Sequence, residues 1–140
     1  MTAAELVLEI PKSHWHTSND RGKWYIFAPR IKANRAAAKN AAIKGGLGTF
    51  SVAHVTAHIG YPRNGRADPG NASPVVKALL DGLTDAGIWA DDDSRHVIGP
   101  DYRREVGVTG KPGVHTVRLV LIEQAPDILR IRAETQGKAA

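Results

Sequence analysis

The 140-residue chain contains no cysteine. Disulfides and thiolate metal centres are therefore excluded, and nothing in the chain requires an oxidising compartment. No apolar run approaches the ~18 residues that span a bilayer. The opening "MTAAELVLEIPK" lacks the basic start, long apolar stretch and small-residue cleavage pattern of a signal peptide. The expectation is a cytoplasmic protein without a membrane partner. Internal repeats and low-complexity segments are absent too, and no nucleotide cofactor is expected.

What is present suits one domain, expected over 1–140: 42% of the residues are hydrophobic, and the length is sufficient for a real core. The formal charge of +5 points to a polyanionic partner. Lys and Arg gather in "RGKW", "PRIKANRAAAKNAAIK" and "YPRNGR", with more in "DYRRE" and "ILRIR", whereas carboxylates thicken between Asp81 and Asp93. A basic surface around an acidic focus is what an enzyme needs to hold nucleic-acid phosphates and to place a cation at one of them.

The order of elements follows from periodicity and punctuation. "ELVLEI" alternates as a strand ended by Pro11, and "PKSHWHTSNDRGKWY" is a loop by composition. A helix is expected from about Pro29 to Lys44, with Ile31, Ala38 and Ala42 on its inner stripe and a cationic outer face. "GTFSVAHVTAHIGY" is expected as a long strand with Ser51, Ala53, Val55, Ala57 and Ile59 on one face. The loop "PRNGRADPGNA" leads to a second helix with Ser73 as N-cap and Pro74 at the first helical position. Its inward side is Val76, Leu79, Leu80 and Leu83, and Gly87 supplies the exit. A short strand broken at Gly99-Pro100 and a final strand "VHTVRLVLIE" follow. The tail from Ala125 is expected to hold a short helix and then fray. Together these predict a small α+β domain, a mixed sheet of about four strands with two main helices on one face.

The chemistry centres on "IWADDDSRH", where Asp91, Asp92 and Asp93 are consecutive. Close carboxylates repel by about 1 kcal/mol per pair in water and by up to about 4 kcal/mol at an effective dielectric near 20. Either all three face solvent, or a cation offsets the repulsion. Asp68 and Asn71 lie just before the second helix and the three aspartates just after it, about 20 Å apart by helix length alone at ~1.5 Å per residue. They share a site only if the loops fold back. Mg²⁺ prefers carboxylate and water oxygens, so carboxylates from separate loops suit it, and it would activate water for phosphodiester hydrolysis. Lys77 either reaches the same phosphate or pairs with Asp81 four residues on. Arg63 and Arg66, flanking Asp68, are candidates for phosphate contact, as are Lys23, Lys32 and Arg35. Trp15 and Trp24 either stack on unpaired bases or pack internally. His54 and His58, four apart on one strand face, have the wrong spacing for paired zinc ligands.

"RADPGNASPVVKALLDGLTDAGIWADDDSRHV" resembles the core of the RusA-type Holliday junction resolvases, whose pattern runs Asp-x-Asp-Asn, a Lys leading into "KALLDAL", then an apolar-x-Asp-Asp turn. "PKSHWHTSNDRGKW" is similar, more loosely, to the family's Pro-x-Ser-x-Asn-x-x-Trp region, and "HTVRLVLIE" to its last strand. The resemblance implies a RusA-like fold and Mg²⁺-dependent cleavage of four-way DNA junctions by a homodimer in a phage or prophage setting. It implies Mg²⁺ ligation by Asp68 and Asp92, with Asp91 or Asp93 as further ligands, a catalytic role for Lys77, and DNA contact by Asn71. The later catalytic aspartate is Asp92 counted from Trp89, or Asp93 counted back from Ser94 and Val97; Asp92 is preferred. Two departures stand out: Gly70 replaces the family's second metal-binding Asp, and three extra residues separate Asn71 from Lys77.

Overall fold

The computed structural model describes residues 2–125, 127 and 128. Four strands and two helices alternate as β1 (Ala3–Ile10), α1 (Trp24–Lys44), β2 (Ala53–Tyr61), α2 (Ser73–Asp85), β3 (Val97–Val108) and β4 (His115–Glu123). Short 3-10 turns occupy Lys12–His14 and Pro69–Ala72. The sheet order is β1-β4-β2-β3; β4 pairs antiparallel with both β1 and β2, and β3 runs parallel to β2. The expected tail helix after Ala125 lies, beyond Ile128, outside the described residues.

Alternation places the core. Leu6, Leu8 and Ile10 of β1, Ala53, Val55, Ala57 and Ile59 of β2, and Val117, Leu119 and Leu121 of β4 are all buried on one face of the sheet. Registers such as Leu6↔Leu119 and Ala57↔Leu119 put these side chains in one layer. Helix α2 covers that layer with Val75, Val76, Ala78, Leu79, Leu80 and Leu83, and α1 adds Ala38 and Ala42. Gly82 is the close-approach point between the helices, since a Cβ there would lie 2.3 Å from the Arg35 carbonyl oxygen. The α+β class, the mixed four-stranded sheet and the two helices are as the periodicity predicts.

Four local expectations are corrected. Helix α1 begins at Trp24, not at Pro29, which lies inside it. Proline there removes one bond, to the Tyr25 carbonyl, and the first turn still closes through Ile26 N–H to the Lys23 carbonyl. Ile31 is exposed and not on the inner stripe, which is Asn34, Ala38 and Ala42. Ser73 is the first helical residue, with Ala72 as the cap, because the 3-10 turn runs straight into α2 and Ser73 N–H bonds to the Gly70 carbonyl. Strand β3 is twelve residues long and continues through Gly99-Pro100. Gly99 adopts φ +100° where a Cβ would meet the Val55 carbonyl oxygen at 2.7 Å, so glycine lets the strand bulge against β2 and resume pairing at Asp101. Among the described residues no helix is long and apolar enough to cross a membrane.

Candidate functional site

The connection β2–α2–β3 joins parallel strands, so the loop before α2 and the turn after it start from opposite ends of that helix. The later turn folds back. Trp89 is buried and its indole N–H donates to Thr84 Oγ1 at 2.7 Å, while Ile88 N–H bonds to the Leu83 carbonyl and Phe50 N–H to the Ile88 carbonyl. This anchored turn delivers Asp92 to the side of α2. There Lys77 Nζ donates to Asp92 Oδ2 at 2.5 Å and to Asp81 Oδ1 at 2.8 Å.

The three consecutive aspartates thus have separate partners. Asp92 faces Lys77, with 18% of its side chain exposed. Asp93 turns the other way: its Oδ1 accepts the Arg95 N–H, its Oδ2 accepts the Arg95 guanidinium, and its carbonyl caps His96 and Val97. Asp91 Oδ1 accepts the Asp92 N–H at 2.7 Å. The Lys77 ammonium holds the Asp92 carboxyl below the usual carboxylate range, and Arg95 does the same for Asp93. The hydrogen bonds it donates to Asp81 and then to Asp92 raise Lys77 in return. Two fixed cations offset the crowding of the triplet.

Among the described residues no hydrogen bond joins Asp68 to this cluster. Asp68 caps the 3-10 turn, with Oδ1 accepting Gly70 N–H at 3.0 Å and its carbonyl accepting Asn71 N–H. Asn71 is tied to the N-terminal loop: its carbonyl accepts Ser18 N–H and its Oδ1 accepts the Ser18 hydroxyl at 3.2 Å. That loop is pinned to α1 by Arg30 to the Trp15 carbonyl and by the buried Asn34 to the His14 carbonyl. "PKSHWHTSND" and "RADPGN", far apart in sequence, therefore meet.

Beside this junction two grooves share Tyr61 and Ala67 as a wall. One, about 190 Å³, is lined by Trp15, Asp68 and Asn71; the other, about 220 Å³, by Arg63, Arg66, Arg104 and His115. Arg104 lies 5.0 Å over the Tyr61 ring and donates to the Gly65 carbonyl. Trp15 stacks flat on His115 with centroids 3.7 Å apart, and Tyr61 meets both rings edge-on. Burial pushes His115 down to about 4, so its imidazole is neutral at pH 7.

Of the proposed phosphate-contacting cations, Arg63, Arg66, Lys23 and Lys32 are exposed. Arg35 is engaged by Asp85 through Nε and Nη2 at 2.6 and 2.8 Å, which ties α1 to α2. Sequence reasoning assigned no site role to Asp81, Trp89, Arg104 or His115. For Asp81 the signal was the spacing of four from Lys77, which reads equally as a surface ion pair. The other three carry no local signal.

Among the described residues no three His, Asp or Glu side chains converge as a ready metal cage. Hard oxygen donors are present in kind: Mg²⁺ is commonly held by one or two carboxylates with water completing the octahedron. Asp81 and Asp92, both on Lys77, are the pair that the fold brings together. No protein-family model matches the chain, and no curated protein matches it significantly.

Proposed function

We propose that this protein is a Mg²⁺-dependent endodeoxyribonuclease of RusA-like fold that resolves four-way DNA junctions as a homodimer, in the cytoplasm of a phage-infected or prophage-bearing cell. The observation that carries the reading is the Lys77–Asp92 contact. The resemblance assigns a site role to each of these two residues, fifteen positions apart, and they lie within hydrogen-bond distance. The junction of the N-terminal loop with the Asp68 loop, and three arginines on the adjoining groove, add support.

In this reading Arg63, Arg66 and Arg104 hold strand phosphates, and Asp68 and Asn71 line the groove beyond. Asp92 and Asp81 provide the carboxylates for the metal, which when bound would polarise a phosphate oxygen and acidify a water. Lys77 offsets charge developing on the phosphate. Two symmetric nicks require two-fold symmetry, hence a homodimer, and products with 5′-phosphate and 3′-hydroxyl ends follow from the resemblance.

A second reading is a branched-DNA-binding protein that has lost cleavage, and Gly70 favours it. Beyond its chain neighbours, a Cβ at Gly70 would meet only the flexible Asp68 carboxylate, 3.3 Å away at Oδ1, so Gly70→Asp fits sterically.

The test is incubation with a labelled four-way junction and with linear duplex, in Mg²⁺ or EDTA. Symmetric Mg²⁺-dependent nicks in the junction alone are expected, reduced at least about 100-fold by Asp92→Asn and by Lys77→Met, a loss on the scale of one electrostatic or acid-base group. Tight junction binding without nicks would sink the nuclease reading, and nicks restored by Gly70→Asp would locate the defect.

A further inference from the structure

We propose that Trp24, with Tyr25 beside it, is a stacking platform for an unpaired DNA base, and that Lys32 and Lys39 continue from it as a stripe carrying the adjoining phosphates. The inference rests on the reading of this chain as a DNA-binding protein and adds a surface at the exposed head of α1 and along its outer side.

Residues 21–67 contain nine Lys and Arg and no Asp or Glu. Helix α1 lies within this span and buries only Asn34, Ala38 and Ala42. At its head Trp24 is 78% exposed, Tyr25 55% and Ile26 44%. The two rings meet edge-on with centroids 6.2 Å apart, and Lys23 Nζ lies 6.0 Å from the Tyr25 ring. Tyr25, Lys32 and Lys39 follow at seven-residue spacing, two helical turns each, and all are exposed. Water contact on a Trp of this extent is unfavourable in a free protein. The surrounding charge selects the occupant: a segment with nine cations and no carboxylate of its own, met among the described residues only by Asp85 of α2 at Arg35, repels basic partners and attracts a phosphate backbone, and a flat aromatic among such cations stacks on a base.

The other two tryptophans do not compete for this role. Trp89 is buried and hydrogen-bonded to Thr84, and one face of Trp15 is covered by His115. Stacking needs an accessible ring face and a base free of its partner, so the platform distinguishes junctions, gaps and single strands from intact duplex.

Binding of a dye-labelled short oligothymidylate and of a labelled fully paired hairpin to the full chain is followed by fluorescence anisotropy in EDTA, where no cleavage occurs, with the wild-type tryptophan emission recorded alongside. Wild-type emission is expected to be quenched by the oligothymidylate. Trp24→Ala should weaken that complex about tenfold and the hairpin complex less than twofold, while Trp24→Phe retains most of the affinity. Equal affinity of wild type and Trp24→Ala for the oligothymidylate overturns the proposal, as does equal loss on both probes. Self-association of the free protein that Trp24→Ala abolishes, with DNA affinity unchanged, assigns the patch to a second copy and also overturns it. Junction cleavage by wild type together with an indifferent Trp24→Ala removes this inference alone. Selective loss in Trp24→Ala without junction cleavage supports it and removes the nuclease reading alone.

Discussion

The two helices lie side by side and do opposite things. Helix α2 buries seven of its thirteen residues between the sheet and its neighbour, whereas α1, at twenty-one residues, buries three. Burying a Leu contributes roughly 1.5 to 3 kcal/mol, so Leu79, Leu80 and Leu83 make α2 a main source of stability. Helix α1 contributes small contacts, Ala38 and Ala42, and an ion pair between Arg35 and Asp85. Its length exceeds what the core needs. A helix that is long, basic and little buried is left as surface, and the comparison teaches that folding depends mainly on α2 while α1 presents the cationic face to which the proposed DNA contact is assigned.

Three perturbations sharpen the contrast. The largest effect is expected from Gly82→Val, where any Cβ would meet the Arg35 carbonyl oxygen at 2.3 Å and the Ala38 Cβ at 2.9 Å. Forcing α1 off α2 should cost about 1 to 3 kcal/mol or more, read as a lower denaturant midpoint. An unchanged midpoint would show that the helices pack more loosely than this geometry requires.

An intermediate effect is expected from pH. The half-buried His115 has its folded pKa lowered from 6.5 to about 4, so the unfolded chain binds the extra proton first. Stability from keeping it neutral is full above pH 6.5 and is lost as pH falls from 6.5 toward 4. His16, buried and lowered by desolvation, acts with the same sign. His115→Phe preserves a ring against Trp15 and should flatten thermal stability over this range relative to wild type. Parallel pH profiles would remove His115 as the cause.

The smallest effect on folding is expected from Lys32→Ala with Lys39→Ala, two exposed positions on α1. Stability should stay within about 0.5 kcal/mol, while the log–log salt dependence of DNA binding becomes shallower by about 2. A salt slope identical to wild type would place the phosphates elsewhere.

How much was legible follows the range of each interaction. The apolar stripe of α2, the left-handed exit at Gly87 with φ +78° and the run of β4 are local patterns and stand where periodicity puts them; the alternation of β2 holds from Ala53 on, although the strand expected from Gly48 begins only there. Pro29 misled because its cost depends on whether one carbonyl, that of Tyr25, finds another partner near the helix start. Gly99-Pro100 misled because the neighbouring strand, not local preference, carries β3 across the bulge.

The site divides along the same line. Composition alone determined that the chain is cysteine-free, basic in its first half and acidic around Asp91 to Asp93. Spacing alone marked Lys77 and Asp81 as neighbours on one helical face. Only the tertiary structure decided that the buried Trp89 turns the chain back so that Asp92, and not Asp93, faces Lys77, and that Asp68 caps the 3-10 turn leading into α2. The physical reason is that side-chain period follows from backbone geometry within a few residues, whereas the return of a loop depends on apolar surface supplied by distant segments.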